Sequence, residues 1–299
     1  MATVLISGGT GLIGKKISSL LKAKGYEVRI LTRKQSNGKD LVHWDIDKGY
    51  IQQGALDGVE TIIHLAGEGI ADKAWTDHRK AEIINSRVNS TKLLFELLAK
   101  GDHTVKQFIS ASATGYYSDR ADEVMYEEST PANDFLGKTC IAWENEVDRI
   151  ASLSIRTVKL RTGIVLSIEG GALKKMITPF KFGFGSALGD GKQWMSWIHE
   201  DDLCKMYLFA IENNSLNGAY NAVSPHPTTN EDFSRTLSTV LKMPFWAPNV
   251  PAFILKLIFG EMSAVVLGST KANANKILQT GFKFQHSDLK ESLIDLLKK

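Results

Sequence analysis

The chain has 299 residues, of which 43% are hydrophobic, and a net charge of +3. That length and apolar content support one large or two smaller globular domains around a sizeable core. Its lysines are scattered rather than clustered, which argues against nucleic acid, and its two cysteines, Cys140 and Cys204, argue against a disulfide framework and for a reducing, cytoplasmic setting.

The first element is a short apolar strand, Val4-Leu5-Ile6, with no basic leader before it, so it reads as core and not as a signal peptide. It runs straight into Ser7-Gly8-Gly9-Thr10-Gly11-Leu12-Ile13-Gly14 and then an amphipathic helix carrying Ile13, Ile17, Leu20 and Leu21. Both Gly9-x-Gly11-x-x-Gly14 and Gly8-x-x-Gly11-x-x-Gly14 are present. Such glycines permit a tight turn, a close backbone approach to a pyrophosphate and close helix–strand packing. The helix N-terminus then offers free N–H groups and a positive dipole end to phosphates. Gly8, Thr10, Gly11, Leu12, Ile13 and Gly14 are the candidate phosphate contacts.

A second strand, Val28 to Leu31, ends in Thr32-Arg33-Lys34. An NAD site usually carries an acid there for the ribose 2′-hydroxyl, whereas an arginine suits a 2′-phosphate. The expected cofactor is therefore NADP(H), with Thr32 and Arg33 at its adenosine end. A third strand, Leu41 to Trp44, leads to Asp45, placed to approach the adenine. The fourth, Val59 to Leu65, opens into Leu65-Ala66-Gly67, small enough for backbone to pass beside the cofactor. A helix follows over Asp77 to Leu98, a strand over Gln107 to Ser110, a helix over Phe135 to Ala151 and a strand over Ser154 to Leu160. This alternation predicts an α/β protein, a Rossmann doubly wound parallel sheet that binds ligands beyond its C-terminal strand ends.

After Gly163 the pattern changes. Glycines from Gly170 to Gly191 suggest loops around a short helix. His199-Glu200-Asp201-Asp202 opens another helix, and Leu216 to Val223 reads as a returning strand. From Thr228 onward the pattern is mostly helical: Glu231 to Leu241, Ala252 to Phe259, Thr270 to Leu278 and Ser287 to Leu297. Residues 1–165, completed by about 198–226, then form the NADP-binding domain. Residues 166–197 and 227–299 form a smaller, mostly helical C-terminal lobe on the substrate side. The apolar stretch Val250 to Leu267 is broken by Pro251, Lys256, Gly260 and Glu261, so it reads as buried helix or partner-facing surface, not as a membrane span.

Taken together these features resemble the extended short-chain dehydrogenase/reductase superfamily of nucleotide-sugar epimerases and dehydratases. Four strings resemble one atypical branch of it more narrowly, the epimerase-like proteins called cell-division inhibitor or SulA-like. They are HLAGEGIADKAWTDHRKAEIINSR (His64 to Arg87), SASATGYY (Ser110 to Tyr117), GDGKQWMSWIHEDDL (Gly189 to Leu203) and NAVSPHPTTN (Asn221 to Asn230). The last eighty or so residues resemble that branch's C-terminal domain.

The resemblance implies an NADP-dependent oxidoreductase-type fold. The chemistry of the wider superfamily that it resembles uses a Tyr-x-x-x-Lys pair, whose lysine holds the nicotinamide ribose and lowers the tyrosine pKa, with a serine polarising the carbonyl, and the narrower branch departs from that pair. Ser112 is that serine, with Ser110 the weaker candidate. At the pair's positions stand Leu136 and Cys140, or Phe135 and Thr139 if the frame shifts by one. Arg87 replaces the superfamily's usual asparagine in the long helix.

The chemistry therefore needs other donors. Tyr116 and Tyr117 are phenols beyond the strand or an aromatic wall. Cys140 is a thiol facing the cofactor or a small buried filler. His199 is a general acid or a cap. Arg87 faces the cofactor edge, and Glu82 is placed to pair with it or to touch the nicotinamide ribose. Trp194 and Trp197 are a substrate wall or core. No metal-ligand spacing links the seven histidines.

The expectation is an NADP(H)-binding epimerase/dehydratase-like oxidoreductase that lacks the usual dyad. Its substrate is a small molecule, a carbonyl compound or sugar nucleotide. The alternative is a non-catalytic NADP(H)-binding reader of redox state. The chain is expected to work as a monomer or homodimer.

Overall fold

The computed structural model describes residues 2–35, 38 and 40–298. The N-terminal half follows the expected alternation: β1 (Thr3–Ser7), α1 (Leu12–Ala23), β2 (Glu27–Thr32), β3 (Leu41–Asp45), β4 (Tyr50–Ile51), β5 (Val59–His64), α2 (Asp77–Leu98) and β6 (Gln107–Ala113). Then come β7 (Val124–Met125), α3 (Phe135–Ala151), β8 (Arg156–Thr162), β9 (Ile164–Leu166), α4 (Gly171–Lys181), β10 (Trp194–Met195) and β11 (Trp197–His199). The chain continues through α5 (Glu200–Glu212), β12 (Gly218–Ala222), β13 (Thr228–Thr229), α6 (Asn230–Leu241), α7 (Ala252–Phe259) and α8 (Ala264–Leu267). It ends with β14 (Lys271–Ala272), α9 (Asn275–Gln279) and α10 (Leu289–Lys298).

Eight strands form the main sheet in the order β12-β8-β6-β5-β1-β2-β3-β4. Every neighbouring pair in it is parallel except β3 with β4. β1 lies at the centre with all five residues buried. That is why it reads as an unbroken apolar run, the signature of a parallel strand covered on both faces. One cover packs α1 against α5 over Val4, Ile6, Ile63 and Val158. The other packs α2 against α3 over Leu5, Ile62 and Phe108. Strand order reverses between β1 and β5, so the crevice at their C-terminal ends is the topological switch point.

Capping explains the helix starts. Thr76 accepts from the Arg79 N–H at 3.1 Å to begin α2, and Asp134 accepts from the Gly137 N–H at 2.9 Å to begin α3. A third buried cluster joins Leu166, Leu173, Phe180 and Trp197 to Phe233, Leu237, Leu293 and Leu296, and it is the core of the smaller helical part.

One predicted helix is shorter than expected. Of Thr270 to Leu278, only the end is helical, because Lys271 and Ala272 pair with Val124 and Met125. No helix among the described residues is long and apolar enough to cross a membrane.

Candidate functional site

The switch point is built by the absence of side chains. Gly8 has φ 70°, and a Cβ there would lie 2.8 Å from the Leu65 carbonyl carbon. The glycine loop and the Leu65-Ala66-Gly67 turn can touch only because that position is bare. A Cβ on Gly14 would lie 2.3 Å from the Gly8 carbonyl oxygen, so only glycine lets α1 start this close to β1. Gly11, the N-cap of α1, makes no side-chain cap bond, which leaves the first-turn N–H groups of Leu12 and Ile13 open to an anion. Thr10 and Gly11 are exposed beside them.

Beneath the crevice sits a fully buried histidine, His64. The Ser7 hydroxyl accepts from the Leu65 and Ala66 N–H groups at 3.2 and 3.3 Å and donates to His64 Nδ1 at 2.6 Å. With Nδ1 accepting, Nε2 carries the proton and faces Thr91 Oγ1 at 3.0 Å and Ser90 Oγ at 3.2 Å. Burial, reinforced by the Arg87 charge, holds the ring neutral with a pKa of about 3. Sequence reading did not single out this residue, since a buried histidine has no motif.

At the end of β2, Arg33 is 78% exposed and, among the described residues, pairs with the rim carboxylate Glu68 at 3.5 Å. Thr32 sits beside it and accepts from the Lys34 N–H at 3.2 Å. Asp45 turns back into its own loop, accepting from the Lys48 N–H at 3.1 Å. Those Lys48 bonds hold its carboxyl below the usual range.

Glu82 does not meet Arg87. It pairs with Arg79 at 2.8 Å, one helical turn away, because i,i+3 shares a helix face and i,i+5 does not. Its hydrogen bond from Arg79 is the main influence that holds Glu82 below its ordinary pKa.

On the other side of the crevice, buried charges do the work. Ser112 donates to Glu144 Oε1 at 2.7 Å. Glu144 takes a two-pronged contact from Arg161, at 2.8 and 2.9 Å. Arg161 also donates to the Tyr117 hydroxyl and the Glu127 carbonyl, at 2.9 and 2.8 Å. Tyr117 in turn donates to Asn221 Oδ1 at 2.8 Å. Tyr117 is therefore a buried strut, and burial pushes its phenol up to about 12. Tyr116 is the partly exposed member of the pair, with the Arg161 guanidinium 3.5 Å from its ring centroid.

Cys140 and Leu136 lie on the face of α3 that meets Gly115. The Cys140 thiol is buried, and burial pushes it up to about 12, with Glu144 adding to the effect. Buried and held protonated, Cys140 fits the small-filler alternative better than the cofactor-facing thiol.

Arg87 is 9% exposed, and its guanidinium lies against the ring of Trp143 at 5.2 Å and beneath Gly67. His199 is the N-cap of α5, its Nδ1 accepting from the Asp201 N–H at 3.1 Å, which is the cap reading rather than the acid. The fold also gathers what spacing did not reveal. Donor atoms of His199, Asp201, His286 and Asp295 lie within 4.8 Å of one another. The His199 cap bond uses the Nδ1 lone pair and leaves the proton on Nε2, so His199 is not available there as a metal ligand. Stacking on His286 at 3.8 Å makes the group a clasp between α5 and the C-terminal segment. Trp197 is fully buried, hence core, whereas Trp194 is partly exposed and donates to Asp122 at 2.8 Å.

Fold and crevice together define a Rossmann-type protein with a dinucleotide-fold glycine loop. The chain belongs to the NAD dependent epimerase/dehydratase family, whose model matches residues 4–222, and residues 250–296 match a domain of unknown function, DUF1731. It is 36% identical to the epimerase family protein YfhF of Bacillus subtilis, over 98% of this chain and 97% of that one. An epimerase family protein of Staphylococcus aureus is 38% identical over the full length of both. The family name these relatives carry is the broad one, without a cell-division role.

Among solved structures, the human epimerase family protein SDR39U1 (isoform 2), crystallised with NADPH, superposes with a TM-score of 0.90. It is 30% identical and covers 99% of both chains. A nucleoside-diphosphate sugar epimerase of Corynebacterium glutamicum superposes with a TM-score of 0.82 at 32% identity, over 99% of this chain and 58% of that one.

Proposed function

We propose that this chain binds NADP(H) across the switch point and is an oxidoreductase-type member of its family that works without the Tyr-Lys dyad. One observation carries the cofactor choice. Arg33 stands at the end of β2, next to the glycine loop, 78% exposed and with no acid in the place where NAD sites hold one. The likeness to a human protein crystallised with NADPH supports the same reading. The bare crevice fits the group: Gly8, Gly11 and Gly14 leave room, and the α1 N-terminus with Thr10, Leu12 and Ile13 would take the pyrophosphate. Leu65, Ala66 and Gly67 would line the ribose path, with Arg87 beyond them. Asp45 and Glu82 are tied to Lys48 and Arg79 and serve at most as rim.

When bound, the nicotinamide would accept or donate a hydride. This chain's own part is to orient it and to handle a proton. Ser112 reaches the end of β6, but its hydroxyl is committed to Glu144, which leaves Tyr116 as the partly exposed phenol on that side. The substrate class that suits the family is a carbonyl compound or sugar nucleotide.

Leu136 and Cys140 at the dyad positions also support a second reading, a non-catalytic protein that reports the NADP(H) redox state to a partner. Calorimetry with NADPH and NADH on the wild type and Arg33→Ala tests the cofactor. NADPH should bind at least tenfold more tightly than NADH, and Arg33→Ala should erase the difference, as expected for a charge-assisted contact. Equal affinity for both cofactors would sink the reading. Loss of reduced-nicotinamide absorbance on adding cell extract, slowed by Tyr116→Phe, would separate enzyme from reporter.

A further inference from the structure

Three arginines are buried around the crevice among the described residues, and two of them meet carboxylates. Arg79 meets Glu68, Glu82 and the Gly69 carbonyl. Arg161 meets both oxygens of Glu144, the Tyr117 hydroxyl and the Glu127 carbonyl. Arg87 differs: nine-tenths buried, it makes a single hydrogen bond among the described residues, from Nη1 to the Ile83 carbonyl at 2.9 Å. No carboxylate among those residues comes within ion-pair distance of it. A buried cation left this way has a large unmet demand for acceptors. The surroundings hold it in place rather than neutralise it: Trp143 stacks on the guanidinium, and Gly67 leaves room above it.

Topology says which ligand group would meet it. The two halves of a dinucleotide lie over the two halves of a doubly wound sheet. Arg33 closes the β1–β3 half. Arg87 rises from α2 and passes beneath Gly67, just after β5, to stack on Trp143 of α3, the helix that follows β6. It therefore belongs to the opposite half, the nicotinamide end. Trp143 lies one turn beyond Cys140 on α3, so the guanidinium stands near the position where the superfamily resemblance calls for a lysine.

We infer that Arg87 is the relocated ribose-holding cation of this site: α2 supplies from the neighbouring helix the charge that α3 lacks at Cys140. The guanidinium offers its remaining N–H groups to the nicotinamide ribose hydroxyls or the adjacent phosphate, and Trp143 fixes the plane of the fork. With the cation supplied from α2, α3 is free to carry a small apolar thiol, and Cys140 fills that space. This inference rests on the cofactor reading above.

The test uses two ligands, NADPH and adenosine 2′,5′-bisphosphate, which is the adenosine half alone. Arg87→Ala should weaken NADPH by roughly tenfold or more, the scale of a lost charge-assisted bond, and leave the half-ligand unchanged. Arg87→Lys should fall between the two. The double variant Arg87→Ala/Cys140→Lys, which returns a cation to α3, should recover most of the NADPH affinity. Half-ligand binding reports that each variant is folded. Equal loss on both ligands, no loss on either, or no recovery in the double variant would overturn the relocation. Failure of the wild type to bind either ligand would instead remove the cofactor reading, and the relocation with it.

Discussion

The two halves of the crevice are built on opposite principles. Between β1 and β5 the backbone does the work: Gly8 and Gly14 stand where any Cβ would strike a main-chain atom, and the α1 N-terminus is left open. Between β6 and β8 side chains do it: Ser112, Glu144, Arg161, Tyr117 and Asn221 form one buried chain of charged and polar bonds. The first half asks each position for less, and the second asks each residue for a particular partner. A motif made of missing atoms can be read locally. A network whose members come from β6, α3, β8 and β12 cannot.

The sharpest way to break this comparison is to strip the charged half. Glu144→Ala leaves the Arg161 guanidinium buried without its carboxylate, and it should cost about 4 kcal/mol of unfolding free energy. A urea midpoint within error of the wild type would show that the network is ornamental. The glycine half has its own test. Gly14→Ala forces a methyl group to 2.3 Å from the Gly8 oxygen, so the start of α1 must shift. The expected cost is about 2 kcal/mol, together with loss of dinucleotide binding. Unchanged binding would mean that the loop does not form the cradle.

His64 sits at the seam, and over a single pH unit it gives the smallest effect. Folding lowers its pKa from 6.5 to about 3, so folding favours the neutral ring. That contribution is complete above pH 6.5 and is lost as the pH falls toward the folded value, at roughly 1 kcal/mol per pH unit. His64→Gln, which keeps hydrogen-bonding capacity without this titration, should flatten the acid limb of stability against pH. Parallel limbs in the two proteins would place the acid sensitivity elsewhere.

Much of the fold was legible because its signals are local. The bounds of α2, α3 and α7 agree with the periodicity, since caps or proline mark their starts: Thr76, Asp134 and Pro251. Four of the two-residue strands, β7, β10, β13 and β14, were not legible. Each is defined by a partner far along the chain, as when Lys271 pairs with Val124. The same distance explains the site. Glu82 looked like a partner for Arg87 in one dimension, but helical geometry gives it to Arg79. Cys140 was open to two readings, a cofactor-facing thiol or a small filler, and its packing against Gly115 and Ala113 buries it.

By itself the sequence determined the parallel sheet, the glycine cradle and the cation after β2. Apolar runs, bare positions and a strand-end residue act over a few neighbours, and their physics needs no tertiary partner. Only the tertiary structure decided which buried charges are answered. It joined Ser112 to Glu144 across 32 positions and stacked His199 on His286, far along the chain. It also left Arg87 with a single hydrogen bond among the described residues, to the Ile83 carbonyl. Burial and partnership are properties of three-dimensional neighbours, and in a low-dielectric crevice they decide whether a charge is a strut or a ligand-binding group.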